Sequence, residues 1–276
     1  MTTAFVLGGG GRWGAVEVGM IQALDEVGIE PDLILGTSIG ALNGAVIADY
    51  PGREGVDRLT GFWEEATRAD LFQTRFFDRA IRVATLKPSL HETAELRRVI
   101  EKAIHPDTLI EDLQTPFQCV AASIEKFAER WFVRGPLVDA LLASSAVPAL
   151  FPPVEIDGEH FYDGGLVDSV PLGRAVALGA TVVYVLQAGR LESPLRAPER
   201  LYEAALISFE IARRHRFATA LANITDDIEV HMLPTGSPVA WDDRSQLKWN
   251  DTGGIEERMK GAYRASIAYL EEISKG

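Results

Sequence analysis

The sequence predicts an α/β fold built on a parallel sheet, and three observations carry that expectation. A short apolar run, Thr3–Leu7, ends at four glycines. A stretch of helical periodicity, Ala15–Val27, follows it. A second apolar run, Asp32–Leu35, comes after Pro31. Strand, crossover helix and strand make a βαβ unit, and such units build parallel sheets with right-handed crossovers.

The elements follow in chain order. Within Ala15–Val27 the apolar Val16, Met20, Ala23, Leu24 and Val27 recur at helical spacing, and Gly28 reads as the C-terminal cap. After the second strand, Ser38–Ala48 is a further apolar helix. The next stretch is less ordered in pattern: Phe62, Trp63, Leu71, Phe72, Phe76 and Phe77 alternate with Arg68, Arg75, Arg79 and Arg82. Glu92–Ala103 reads as a helix with Thr93 or Ser89 as its cap. Strand-like runs return at Phe117–Ile124, Arg130–Val133, Val154–Ile156 and Thr181–Gln187, with a short one at Glu229–Leu233. Long helices are expected over Glu199–Ala222 and Ile255–Ile273. No repeat, low-complexity stretch or linker interrupts the pattern, so residues 1–276 are expected to form a single domain.

Composition excludes several functions. The 276 residues are 47% hydrophobic, enough for a full core. The longest uncharged stretch, Leu33–Ala48, is broken by Gly36, Gly40 and Gly44, and falls short of the roughly 20 apolar residues a membrane helix needs. The N-terminus has no basic region or cleavage-like site, so a soluble, cytoplasmic protein is expected. A net charge of −13 repels nucleic-acid phosphates and anionic lipid surfaces. The one basic cluster, Arg213-Arg214-His215-Arg216, reads as a solvated helix face. The single cysteine, Cys119, has no internal disulfide partner and lies in a strand-like run, where it reads as a buried, inert thiol.

Two motifs carry chemistry. Gly9-Gly10-Gly11-Arg12-Trp13-Gly14 matches G-x-G-x-x-G between a strand and a helix. A dinucleotide site also needs an acidic residue near the end of the second strand, and Leu33–Ser38 has none. Backbone amides at such a helix start can instead hold the oxyanion of an acyl-transfer transition state. One crossover later comes Gly36-Thr37-Ser38-Ile39-Gly40, a G-x-S-x-G pentapeptide at a strand-to-helix junction. Its glycines permit a tight turn that presents Ser38, with an ordinary structural turn as the bland alternative.

Serine needs a base. His91 and His105 read as caps or solvent-facing groups, His215 lies in the basic helix, His231 in a short strand, and His160 lacks a turn to present it. Asp163 stands out. An apolar pair, Phe161-Tyr162, leads into Asp163-Gly164-Gly165, which can hold a carboxylate in a dry site with its approach unobstructed. Burial would raise its pKa and hydrogen bonds would lower it.

Together, Leu7–Leu24, Gly36–Ala45 and Ala143–Leu172 resemble bacterial patatin-like phospholipases, in the same order, with the likeness running from residue 3 to about 187. The last block is the most specific, through its Ser-Ser-Ala-x-Pro, Phe-Pro-Pro and Asp-Gly-Gly elements. The resemblance implies a three-layer α/β/α sandwich around a mostly parallel central sheet. It implies a Ser–Asp dyad of Ser38 and Asp163 without histidine, an oxyanion hole from the amides of Gly9, Gly10 and Gly11, and a nucleophile elbow framed by Gly36 and Gly40. The implied reaction is hydrolysis of lipid or fatty-acyl esters through an acyl-serine, with no metal or cofactor and at most transient membrane contact. The family usually has arginine where Trp13 stands, and asparagine at Ser169. Trp13 therefore reads as the wall of an acyl pocket or as a core residue, and a catalytically weak lipid-binding or regulatory protein is the alternative. Phe62–Phe77 reads as a flap over the site, or as helices packed on the sheet with solvated arginines.

Overall fold

The computed structural model describes residues 1–68, 92–148, 150–187, 195, 197–198, 201–236 and 254–275. Of the stretch read as a flap or as packed helices, Leu71, Phe72, Phe76 and Phe77, together with Arg75, Arg79, Arg82, Ser89 and His91, lie outside the described residues.

An eight-stranded sheet runs through the molecule. Its parallel centre consists of β1 (Thr3–Leu7), β2 (Leu33–Thr37), β3 (Phe117–Ser123), β7 (Val182–Leu186) and β8 (Glu229–Met232), in the order β3-β2-β1-β7-β8. Three antiparallel strands extend it on the β3 side: β4 (Ala128–Phe132), β5 (Val154–Ile156) and β6 (Glu159–Asp163).

Side chains alternate across each strand, and this separates two cores. Phe5, Leu7, Ile34, Val182, Tyr184 and Leu186 face one side. There they meet α1 (Ala15–Glu26), α2 (Ile39–Asp49), α3 (Arg53–Arg68), α4 (Thr93–Ile100), α5 (Leu137–Ser144) and α8 (Ile255–Ile273). Ala4, Val6, Leu33, Leu35, Val183 and Val185 face the other side, against α6 (Leu172–Ala177) and Phe217 of α7 (Leu201–Ala222). The architecture is therefore a three-layer α/β/α sandwich around a mostly parallel sheet. Close packing between α1 and α8 requires Gly19, because a Cβ there would overlap the Met259 carbonyl.

Several elements differ from the sequence reading, for physical reasons. Buried α5 has seven of its eight residues inside, so it shows no amphipathic period by which to find it. Short α6 escapes notice for another reason, since its six residues are too few to show a helical period. The expected cap of α4 is displaced: Glu92 is the N-cap, without a side-chain capping bond, and Thr93 is already helical. The helix ends at Ile100, and residues to Ala103 continue as turns. The strand β6 is absent from the sequence reading, since Glu159-His160 opens it with two polar residues. Among the described residues no helix is long and apolar enough to cross a membrane.

Candidate active site

Sheet register brings Ser38 and Asp163 together. Along β3, Val120 pairs with Thr37 of β2, and the next residue, Ala121, pairs with Asp163 of β6. At Ser38 the chain of β2 leaves the sheet, and β6 takes its place beside β3. Residues 125 positions apart thus meet at one level, and the Ser38 hydroxyl donates to Asp163 Oδ2 at 2.6 Å. Both side chains are buried.

The turn at Ser38 is strained. Its φ of 56° and ψ of −124° are unusual for a residue with a side chain, and such conformations cost about 1–3 kcal/mol. The surroundings hold it there. A Cβ on Gly36 would stand 2.5 Å from the Ala41 Cα, and one on Gly40 would stand 2.5 Å from the Leu7 carbonyl oxygen. The Ser38 N–H donates to Ser144 Oγ at 2.9 Å, so the end of α5 buttresses the turn.

Asp163 is fixed by its own neighbours. Its N–H donates to the Ala146 carbonyl at 2.9 Å, and its Oδ1 accepts the Gly165 N–H at 2.7 Å. Gly164 must lack a side chain because it lies on the Val120 carbonyl. Burial pushes the Asp163 carboxyl up to about 6, against the hydrogen bonds from Ser38 and Gly165 and the nearby charge of Arg213, which lower it. A carboxylate of that basicity, hydrogen-bonded to a hydroxyl, can take its proton and so generate a nucleophile.

The glycine loop passes directly beside this pair. A Cβ on Gly9 would stand 3.4 Å from the Ser38 Cβ. The loop leads into a 3-10 turn, Gly11–Gly14, ahead of α1. The amide of Gly9 donates to the Ser169 carbonyl at 2.9 Å. This narrows the expected set of three amides: the Gly9 N–H is already engaged, and Gly10 and Gly11, which head the turn, have no donor role within it. From behind, Asn43 of α2 donates to the Gly14 carbonyl at 2.9 Å and to Glu17 Oε2 at 2.8 Å, and accepts from the Trp63 indole at 3.1 Å. Burial pushes the Glu17 carboxyl well above its ordinary range.

The basic cluster departs from the sequence reading. Arg213 is not part of a solvated face: it is buried, and Nη1 donates to the Gly9 carbonyl at 2.5 Å and to Ser169 Oγ at 3.3 Å, while Nη2 pairs with Glu210 at 3.1 Å. Arg213 stands one helical turn before Phe217, so it shares the face of α7 that packs on the sheet. An arginine in register with an apolar stripe is the signal that could have found it. His215 and Arg216 do face solvent.

Other expected residues lie apart from the site. His160 is half-exposed and pairs with Glu125 at 2.8 Å. His231 is buried between Tyr184 and Tyr269 and pairs with Glu229. His105 engages the Asp107 amide. No described histidine bonds to Ser38 or Asp163. Cys119 is buried in β3, and burial pushes its thiol pKa up, as an inert thiol requires. Trp13 is half-buried against the main core, with the Arg258 guanidinium 4.1 Å from its ring centroid. Thr37, Ser144 and Ser169 are positioning groups whose roles the sequence hides, because each bonds a residue more than a hundred positions away in the chain. Thr37 Oγ1, for one, donates to the Asp168 carbonyl at 2.8 Å.

The family described as patatin-like phospholipase matches residues 5–176. The lysophospholipase nte1 of Aspergillus terreus is 32% identical over 194 residues, which cover 69% of this chain and 12% of that protein. An uncharacterised NTE family protein of Mycobacterium tuberculosis is 29% identical over 222 residues, 80% of this chain and 58% of that one. The chain thus spans less than two thirds of the length of either relative. Among solved structures, VipD from Legionella pneumophila superposes with a TM-score of 0.41 at 14% identity, covering 96% of this chain and 67% of that one.

Proposed function

This chain belongs to the patatin-like phospholipase family, and on that premise we propose that it is a serine lipid acyl hydrolase with a Ser38–Asp163 dyad. The observation that carries the reading is the 2.6 Å hydrogen bond from a strained, buried serine to a carboxylate whose pKa is raised to about 6. A protein that only bound lipid would gain nothing from that strain.

The reaction runs in two halves. Asp163 accepts the Ser38 proton as Oγ attacks the ester carbonyl carbon, and the carbonyl electron pair moves onto oxygen. The Gly10 and Gly11 amides receive that oxyanion. When the tetrahedral intermediate collapses, the C–O bond to the alcohol breaks, and the alcohol leaves with the proton held by Asp163. Water then attacks the acyl-serine, gives its proton to Asp163, and the acid is released as Ser38 regains a proton. Histidine is not needed because the carboxylate contacts the hydroxyl directly. The substrate class is fatty-acyl esters of lipids, in keeping with the lysophospholipase name of the fungal relative.

The test is hydrolysis of p-nitrophenyl acyl esters and lysophospholipids. Ser38→Ala and Asp163→Asn are each expected to lower kcat by at least about 10³-fold while the fold persists. Turnover near the wild-type rate in either folded variant would overturn the dyad.

A further inference from the structure

The residues that clamp the glycine loop from the far side point to a role for α7, which lies beyond the family-matched residues 5–176. Gly9 is held at both ends. Its N–H is bound by the Ser169 carbonyl and its carbonyl by Arg213, which also binds the Ser169 hydroxyl. These contacts close a ring between Gly9, Ser169 and Arg213. The Arg213 Nε–H has no hydrogen-bond partner among the described residues. A buried arginine so placed is too costly to be a simple filler of space.

The Gly9 carbonyl and the Gly10 N–H belong to one peptide plane. In a trans peptide they point in opposite directions. A cation that draws the Gly9 oxygen toward α7 therefore aims the Gly10 N–H to the other side of the loop, away from α7. A charge-assisted bond to the carbonyl oxygen also polarises that peptide and makes its N–H a stronger donor. We propose that Arg213 is a positioning residue that, through the Gly9–Gly10 peptide, both orients and strengthens the Gly10 amide for the oxyanion formed at Ser38. The inference rests on the acyl-hydrolase reading and adds to it a residue from a distant helix.

Arg213 reaches the dyad a second way, since its charge lowers the Asp163 pKa against the larger effect of burial. Arg213 is itself flanked on α7 by Glu210, which it pairs with, and by Arg214; Asp168, next to Ser169 in the chain, is raised by burial and by Glu129 and lowered by Arg216. Loss of the Arg213 charge therefore moves the acidic limb of the rate profile to higher pH.

The experiment measures kcat, KM and the pH–rate profile for a p-nitrophenyl acyl ester with Arg213→Met, Arg213→Gln and Arg213→Lys. Near-UV circular dichroism establishes which variants fold. In the neutral variants kcat is expected to fall about 10- to 100-fold with KM within about 3-fold, and the acidic limb to move up. Arg213→Lys keeps the charge, so its limb stays at the wild-type position and part of kcat returns. Should Arg213→Met not fold, the comparison of Gln with Lys decides. A folded neutral variant with wild-type kcat and an unmoved limb would overturn the proposal. So would a Lys variant whose limb moves as far as that of Gln. Labelling of wild-type Ser38 by a fluorophosphonate separates the two layers: no adduct sinks the hydrolase reading, whereas an adduct with indifferent Arg213 variants sinks only this inference.

Discussion

At residue 38 the backbone and the side chain make opposing demands. The proposed reaction requires a hydroxyl, yet φ of 56° with ψ of −124° suits glycine. Ser38→Gly is therefore expected to be more stable than Ser38→Ala by about 1 kcal/mol, because both lose the hydroxyl and only glycine relieves the turn. Urea unfolding of the two variants checks this, and equal midpoints would show that the turn carries no strain. Asp163 makes a related trade. Its carboxyl is raised to about 6 in the folded state, above its ordinary value near 4. The protonated form is therefore favoured by folding, and stability present below about pH 4 is lost as pH rises through 6. Asp163→Asn is expected to gain up to about 3 kcal/mol over wild type at pH 8 and nothing at pH 4. Ser38 and Asp163 are legible in the sequence because both sit in glycine-framed turns with a mechanical purpose. For Arg213 the register with Phe217 signals burial, but its partner is hidden there, since a carbonyl 204 residues away leaves no mark on composition.

The elements behave as their glycines require. Gly19 on α1 touches the backbone of α8 at Met259, whereas Gly61 on α3 has nothing within 4 Å of where a Cβ would stand. Gly61→Ala is expected to stabilise by about 0.5–1 kcal/mol through helix propensity. Gly19→Ala is expected to destabilise by more than about 2 kcal/mol, because α8 must move off α1. Thermal or urea unfolding distinguishes the signs. Elements with a period are legible: the bounds of Ile255–Ile273 follow from its amphipathic pattern, and those of Thr3–Leu7 from an apolar run stopped by glycine. Elements buried on every side, such as α5, have no polar face to mark them. The short strand β6 depends on a partner, β3, that only the folded chain brings beside it.

Across the whole molecule, the buried acids set stability against activity. Burial pushes Asp163 to about 6 and Asp168 to about 7, and raises Glu17 as well. For Asp168 the repulsion from Glu129 adds to burial. Each folded-state value lies above the unfolded one, so all three contribute stability at low pH, and for Asp163 and Asp168 that contribution fades as pH rises through 6–7. The exposed carboxylates whose pKa values are lowered, such as Glu125 and Glu256, act in the opposite sense but are screened by solvent. The thermal midpoint is therefore expected to fall by about 5 °C or more between pH 5 and pH 8. Over the same interval the rate of ester hydrolysis is expected to rise through about pH 6, as the proposed base Asp163 ionises. The surplus of acid, 40 Asp+Glu against 27 Lys+Arg, makes repulsion grow in the same direction.

The dyad itself is tested most directly by trapping the acyl-enzyme. Wild-type protein mixed with a p-nitrophenyl acyl ester and quenched in acid within the burst should carry the acyl group, by peptide mass spectrometry, on Ser38, and the Asp163→Asn variant should carry almost none. An acyl group on another residue, or equal acylation of Ser38 without the Asp163 carboxylate, would contradict the account.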